Sequence, residues 1–251
     1  MTARSAFALC IGLVCLFSGC ATAPKPQVVD RTSAYAHRFE KAPETYRVMK
    51  GDTLYSIAWR YGLDTSGLAS SNGIAKPFTI YPGQVLSLVI NTATRPPGKP
   101  PTMPAVAASS GTAKPAKPTE KKSAPQPRNE TWLKPVSRPV SLKYGNKNKG
   151  VNYLLNVGDD VKVTRSGEVV YAGTGLGGYR RLVIVQHDSE YLSAYSFNHE
   201  MLVREGGQIR RGDPVTRAMN TQGLGPNGQT LHFEIRRRGQ PVDPGSLIGR
   251  H

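Results

Sequence analysis

Cysteine is scarce and confined: the only three, Cys10, Cys15 and Cys20, lie in the first twenty residues. That excludes a disulfide framework or a thiolate metal site in the rest of the chain. Acidic residues are also few, 17 against 33 Lys and Arg in 251 residues, for a net charge of +16. Apolar residues make up only 38%, and no uninterrupted apolar run approaches the roughly 20 residues that span a bilayer, which excludes a polytopic membrane protein. Large apolar side chains are missing from Asn91 to Glu130, where Met103 is the only one beyond valine and alanine and where 9 of the 20 prolines fall. Such a stretch cannot bury enough surface to fold, so it reads as a disordered tether between two small folded parts. Forty Pro-rich residues at up to about 3.1 Å each reach on the order of 100 Å.

At the start, Arg4, an apolar run from Ala6 to Phe17 and the small residues Ser18-Gly19 form a secretory signal. One reading is an ordinary signal peptide cut near Ala21 or Ala23. The other rests on Leu16-Phe17-Ser18-Gly19-Cys20, which resembles the lipobox of bacterial lipoproteins, although Phe17 stands where an aliphatic residue is commoner. The resemblance implies cleavage after residue 19, lipidation of Cys20 and anchoring by acyl chains at about 0.8 kcal/mol per buried methylene. Ala21 after the cysteine, in place of Asp, implies the outer membrane. The segments expected are a signal peptide over 1–19, a spacer over 20–45, folded parts over 46–90 and 131–251, and the linker over 91–130. The linker carries a net +5 and the last part +7. Export argues against nucleic acid as the partner of this charge, leaving lipid head groups and wall carboxylates, or plain solubility of the tether.

Thr45 to Val48 alternates as a strand and gives way at Lys50-Gly51, with Asp52 and Thr53 placed to cap a helix. Leu54, Ile57, Ala58 and Tyr61 then recur at the spacing of a core-facing stripe. A second helix is expected over 65–71, ended by Asn72-Gly73, and a second strand over 83–89. Tyr46-Arg47-Val48-Met49-Lys50-Gly51-Asp52-Thr53-Leu54, Ile57-Ala58, Asn72-Gly73 and Ile80-Tyr81-Pro82-Gly83-Gln84-Val85-Leu86 together resemble the LysM domain, a small α+β module of order β-α-α-β. The resemblance implies binding of N-acetylglucosamine-containing glycans, such as peptidoglycan, between the loops holding Gly51, Asp52, Thr53 and Leu54 and those holding Phe78, Ile80, Tyr81 and Pro82. For Asp52 and Thr53, helix capping is an equally good reading. Trp59 and Tyr61 read as packing residues rather than a sugar platform.

From Val161 onward the pattern is antiparallel β. Residues 161–164 and 168–171 flank Arg165-Ser166-Gly167, 182–187 and 191–195 flank Asp188-Ser189-Glu190, and Leu231 to Arg236 adds a strand. Gly167-Glu168-Val169, Gly177-Gly178-Tyr179, Gly206-Gly207-Gln208-Ile209, Gly212-Asp213, Leu231-His232-Phe233-Glu234-Ile235 and Pro241-Val242-Asp243-Pro244 resemble the LytM or lysostaphin-type zinc endopeptidase domain, which is mostly β. The zinc ligands of that family are a His and an Asp in His-x-x-x-Asp and the second His of His-x-His. The matching positions hold Asn148, Asn152 and His232. The two proton-handling His positions hold Thr230 and Phe197. A hydrolytic zinc needs three protein ligands and an open position, and neutral carboxamides replace two of them. Neither His187, in a position that is structural in the family, nor His199 restores the set. Asp159, Asp160 and Asp188 read as solvated. No metal, cofactor or catalytic residue is expected.

The full arrangement is a multidomain chain: lipobox, LysM module, tether and degenerate LytM domain. It resembles the murein hydrolase activators of Gram-negative bacteria. That implies an outer-membrane lipoprotein facing the periplasm that binds murein and switches on an N-acetylmuramoyl-L-alanine amidase at the division site, with Asn148, Asn152, Phe197, Thr230 and His232 lining the partner-binding cleft. The alternatives are a tether between membrane and wall without activation, and an active zinc murein endopeptidase.

Overall fold

A computed structural model describes residues 41–90, 130–177, 179–220 and 229–249. Cys20, the signal and the Pro-rich segment lie outside the described residues. In the first module, β1 (Thr45–Arg47) pairs antiparallel with β2 (Val85–Ser87), and α1 (Leu54–Tyr61) and α2 (Thr65–Ser71) lie between them in sequence. Thr53 rather than Asp52 caps α1, in a reciprocal box: each backbone N–H of Thr53 and Ser56 donates to the other's hydroxyl at 3.0 Å. Asp52 instead accepts from the Tyr46 hydroxyl at 2.7 Å and the Met49 N–H at 2.8 Å. Gly62, at φ 65°, ends α1 in the left-handed region. Asn72 ties α2 to β2 by donating to Leu68 O and Ser87 O and accepting from Ser87 N. Leu54, Ile57, Ala58, Leu68, Leu86 and Leu88 form the core, each large side chain contributing about 1.5–3 kcal/mol by burial.

The second part is one eight-stranded antiparallel sheet with a two-stranded annex. Along the chain run β3 (Val140–Leu142), β4 (Val151–Leu154), β5 (Asp160–Lys162), β6 (Gly167–Gly173), β7 (Arg181–Gln186), β8 (Tyr191–Phe197), β9 (Gln208–Ile209), β10 (Pro214–Arg217), β11 (Thr230–Arg237) and β12 (Gln240–Val242). The sheet order is β3-β4-β11-β8-β7-β6-β9, with β12 on β11 and β5 paired with β10. Strand alternation sorts the side chains. Val183, Val185, Tyr195, Leu231, Phe233 and Ile235 enter the main core, whereas Leu182, Ile184, Leu192 and Ala194 belong to a second cluster on the other face. On β11 that other face carries Thr230, His232, Glu234 and Arg236, all buried.

What buries them in part is the LysM helix. The described residues all fall in one compact unit, Arg31–His251, and Trp59 of α1 packs with Tyr179, Leu182 and Ile184 rather than in its own module's core. Tyr55 Oη donates to Gln186 Oε1 at 2.6 Å, and Gln240 Nε2 donates to Gly62 O at 2.8 Å. Gly239, at φ +79°, admits the α1–α2 turn so closely that a Cβ there would stand 2.3 Å from Leu63 O. The two folded parts therefore touch, although the tether between them is long enough to separate them.

His187 is buried between Ser166 O, 3.0 Å from Nδ1, and Ser193 Oγ, 2.7 Å from Nε2. Burial lowers its pKa to about 4. Its folded value lies below the unfolded one, so the unfolded chain takes up the proton first as pH falls. Stability should therefore drop between about pH 6.5 and pH 4 by roughly 3 kcal/mol, because each tenfold loss of proton affinity on folding is worth about 1.4 kcal/mol. Urea melts across that window should show a steeper decline for the wild type than for His187→Gln; equal slopes would contradict a neutral buried imidazole.

Candidate functional site

The polar face of β11 is organised by register. His232 stands directly between Asn152 on β4 and Ser196 on β8. Gly150 lets β4 close on β11 at its start, since a Cβ there would meet Phe233 O at 2.2 Å. Nδ1 of His232 lies 2.6 Å from Asn152 Oδ1, and Nε2 lies 3.0 Å from Glu234 Oε1. The same Glu234 oxygen accepts from the Tyr179 hydroxyl at 2.9 Å. Trp59 Nε1 in turn donates to the Tyr179 oxygen at 3.0 Å. The other carboxylate oxygen accepts twice from Arg236, from Nε at 3.1 Å and from a terminal nitrogen at 3.0 Å. Arg236 completes its fork on the LysM helix: its remaining terminal nitrogen donates to Trp59 O at 2.6 Å, and Cζ sits 3.4 Å from the centroid of a Trp59 ring.

Burial by itself would raise the Glu234 pKa, but attraction to Arg236 and hydrogen bonds from His232 and Tyr179 outweigh it and bring the group down to about 2. Tyr179 is pushed well above the ordinary phenol range, by burial first and by the Glu234 charge second, so it keeps its proton and serves as donor. The result is a continuous polar chain from Asn152 through His232, Glu234 and Tyr179 to Trp59.

Of the five positions expected to line the cleft, the structure joins Asn152 and His232 by a direct hydrogen bond and puts Thr230 on the same strand face. Asn148 lies in the turn between β3 and β4, where Nδ2 donates to Lys143 O at 3.1 Å and Leu142 O at 3.4 Å. Phe197 requires correction: it packs with Tyr195 and Phe233 in the main core, across the sheet from His232. Strand parity is the reason, because Ser196 is the β8 residue opposite His232. Ser196 Oγ, Thr230 Oγ1 and Asn152 Nδ2 are buried without a hydrogen-bond partner among the described residues. In the LysM loops, Leu54 is a core residue, so its side chain is unavailable to a glycan, whereas Gly51, Tyr81 and Pro82 are exposed and Phe78 and Ile80 partly so. Asp159, Asp160 and Asp188 pair with Arg138, Arg217 and Arg165, rather than standing free in solvent. His199 is buried and accepts from Met219 N at 3.2 Å.

Comparison with known proteins accounts for this architecture. Residues 46–89 match the LysM domain and residues 146–244 match peptidase family M23. Across 95% of its length the chain is 36% identical to the lipoprotein NlpD/LppB homolog of Pseudomonas aeruginosa, covering 90% of that protein. The chain belongs to the NlpD/LppB family of lipoproteins. It is also 33% identical to the uncharacterized lipoprotein YgeR of Escherichia coli over 79% of this chain and 78% of the relative. With the murein hydrolase activator NlpD of Salmonella typhimurium the identity is 30% over 80% of this chain and 67% of the relative.

In this NlpD/LppB member the M23 fold brings an expectation of zinc, and its donor set does not fit one. A ligating imidazole must present a lone pair, yet both His232 nitrogens face protein oxygens at hydrogen-bond distance. Asn148 and Asn152 offer neutral amides, which are poor ligands for zinc. Among the described residues no group of three or more His, Cys, Asp or Glu is arranged to hold a metal.

Sequence reasoning passed over Tyr179, Glu234, Arg236 and Ser196, and although it read Trp59 as a packing residue it did not place it against the second folded part. Two signals were available: Thr230, His232, Glu234 and Arg236 alternate with Leu231, Phe233 and Ile235 along one strand, and Tyr55 and Trp59 form an i, i+4 pair on α1 away from its core stripe. Removing one member of the buried ion pair leaves the other uncompensated. Glu234→Ala should therefore cost about 3–5 kcal/mol of unfolding free energy in urea, and the pairwise change Glu234→Leu with Arg236→Met should recover most of it. A loss under about 1 kcal/mol for the single change would contradict the buried pair.

Proposed function

We propose that this protein is a non-catalytic activator of a murein hydrolase, and specifically of an N-acetylmuramoyl-L-alanine amidase in septal peptidoglycan hydrolysis and daughter-cell separation. Cys20 carries the lipid anchor in the outer membrane, the protein faces the periplasm, and the LysM module binds peptidoglycan through Gly51, Asp52, Thr53 and the segment from Phe78 to Pro82. The M23 domain contributes a binding surface instead of a metal. The observation that carries this reading is His232: the one retained ligand position is an imidazole committed on both sides, to Asn152 and Glu234. The names of relatives point the same way, one being called a murein hydrolase activator.

Activation needs no chemistry on this chain. An amidase that alternates between closed and open forms is switched on by any partner that binds the open form better, and a hundredfold shift takes about 2.7 kcal/mol of differential binding. Purified full-length protein mixed with candidate amidases and dye-labelled murein should release dye only when an amidase is present. Release by the protein alone, with stoichiometric bound zinc and cut peptide cross-links, would overturn the proposal.

A further inference from the structure

We infer that the sheet face formed by Tyr179, Leu182, Ile184, Glu234 and Arg236 is the surface offered to the hydrolase, and that α1 of the LysM module covers it as a resident occupant that must leave before activation. The inference rests on the activator reading above and adds to it the location and the control of the contact.

Trp59 is placed as a ligand would be. It lies almost wholly buried, at 2% exposure, against the M23 sheet. Its indole N–H reaches Tyr179 and its backbone carbonyl reaches Arg236. Gln240 takes the Gly62 carbonyl at the end of the helix. The last carbonyls of a helix lack partners within it and carry partial negative charge. Here an M23 cation and an amide serve them, and the same contact shields the end of the chain that begins at Asn152 and His232. Nothing in the LysM fold itself requires Trp59 to be apolar, because that module's core is filled by other residues.

The contact is built to be reversible. It seals the Glu234–Arg236 ion pair away from water, and the cost of desolvating two charges offsets much of the gain from burying the indole. Joining both parts in one chain still favours docking, because a covalent connection raises the local concentration of one part around the other, by an amount that falls as the link lengthens. A partner binding the same face then sees only the undocked fraction, and its apparent affinity falls in proportion.

Two measurements on the full chain test this. With Trp132→Phe, Trp59 is the only indole and reports docking directly; its emission should be blue-shifted and resistant to acrylamide. Amidase stimulation is then compared among wild type, Trp59→Ala, and a chain in which Cys10, Cys15 and Cys20 are serine and Thr53→Cys and Val170→Cys allow a cross-link where Thr53 Oγ1 approaches Val170 O at 3.5 Å. The half-maximal concentration should fall about tenfold for Trp59→Ala if roughly nine molecules in ten are docked. Oxidation should suppress stimulation at least about tenfold, reversibly with reductant. A solvent-exposed Trp59 overturns the docking. Undiminished stimulation by the oxidised chain overturns the occlusion and leaves the activator reading standing. Silence from every form, reduced and Trp59→Ala included, brings down the activator reading and the inference with it.

Discussion

The Glu234–Arg236 pair is the interaction on which the rest of the site depends. Two opposite charges two residues apart on β11 share one sheet face, and both are almost fully buried. Such a pair persists only when every remaining donor and acceptor is met. Here the demand is met from three directions. His232 and Tyr179 supply one carboxylate oxygen, Arg236 supplies the other, and Trp59 closes the guanidinium from above. The pair thereby fixes the imidazole, the phenol and the position of a helix from the other module.

The poor fit of this donor set to zinc rests on contacts as well as on residue types. To ligate zinc, His232 would need a free nitrogen lone pair. On this chain its two nitrogens instead close a hydrogen-bonded line running from Asn152 to Glu234. A face that need not leave room for water and substrate can be packed and covered, and α1 is what covers it. The same residues therefore explain both why the donor set does not suit zinc and why the LysM module can rest on this domain.

Legibility of these features followed the range of the interactions. The LysM module was readable almost whole, because its signals are local: the Thr53–Ser56 capping box, Gly62, the stripe of Leu54, Ile57 and Ala58, and Asn72-Gly73. The β7–β8 hairpin around Asp188-Ser189-Glu190 was readable for the same reason, whereas the hairpin expected around Arg165-Ser166-Gly167 does not form, because β5 pairs with β10 and β6 with β7 and β9. Phe197 was misplaced in the cleft because strand parity decides which face a side chain takes, and one residue of register exchanges Phe197 for Ser196.

By itself the sequence determined the order of modules, the lipobox-like run ending at Cys20, the Pro-rich composition between the folded parts and the neutral amides at Asn148 and Asn152, since each of these is a property of composition or of near neighbours along the chain. Only the tertiary structure decided that Trp59 belongs to the M23 sheet, that Glu234 is ionised in the interior and that both nitrogens of His232 are occupied. These outcomes join residues as far apart as Trp59 and Arg236, and no local pattern specifies which distant groups will meet when two folded parts bury a shared face.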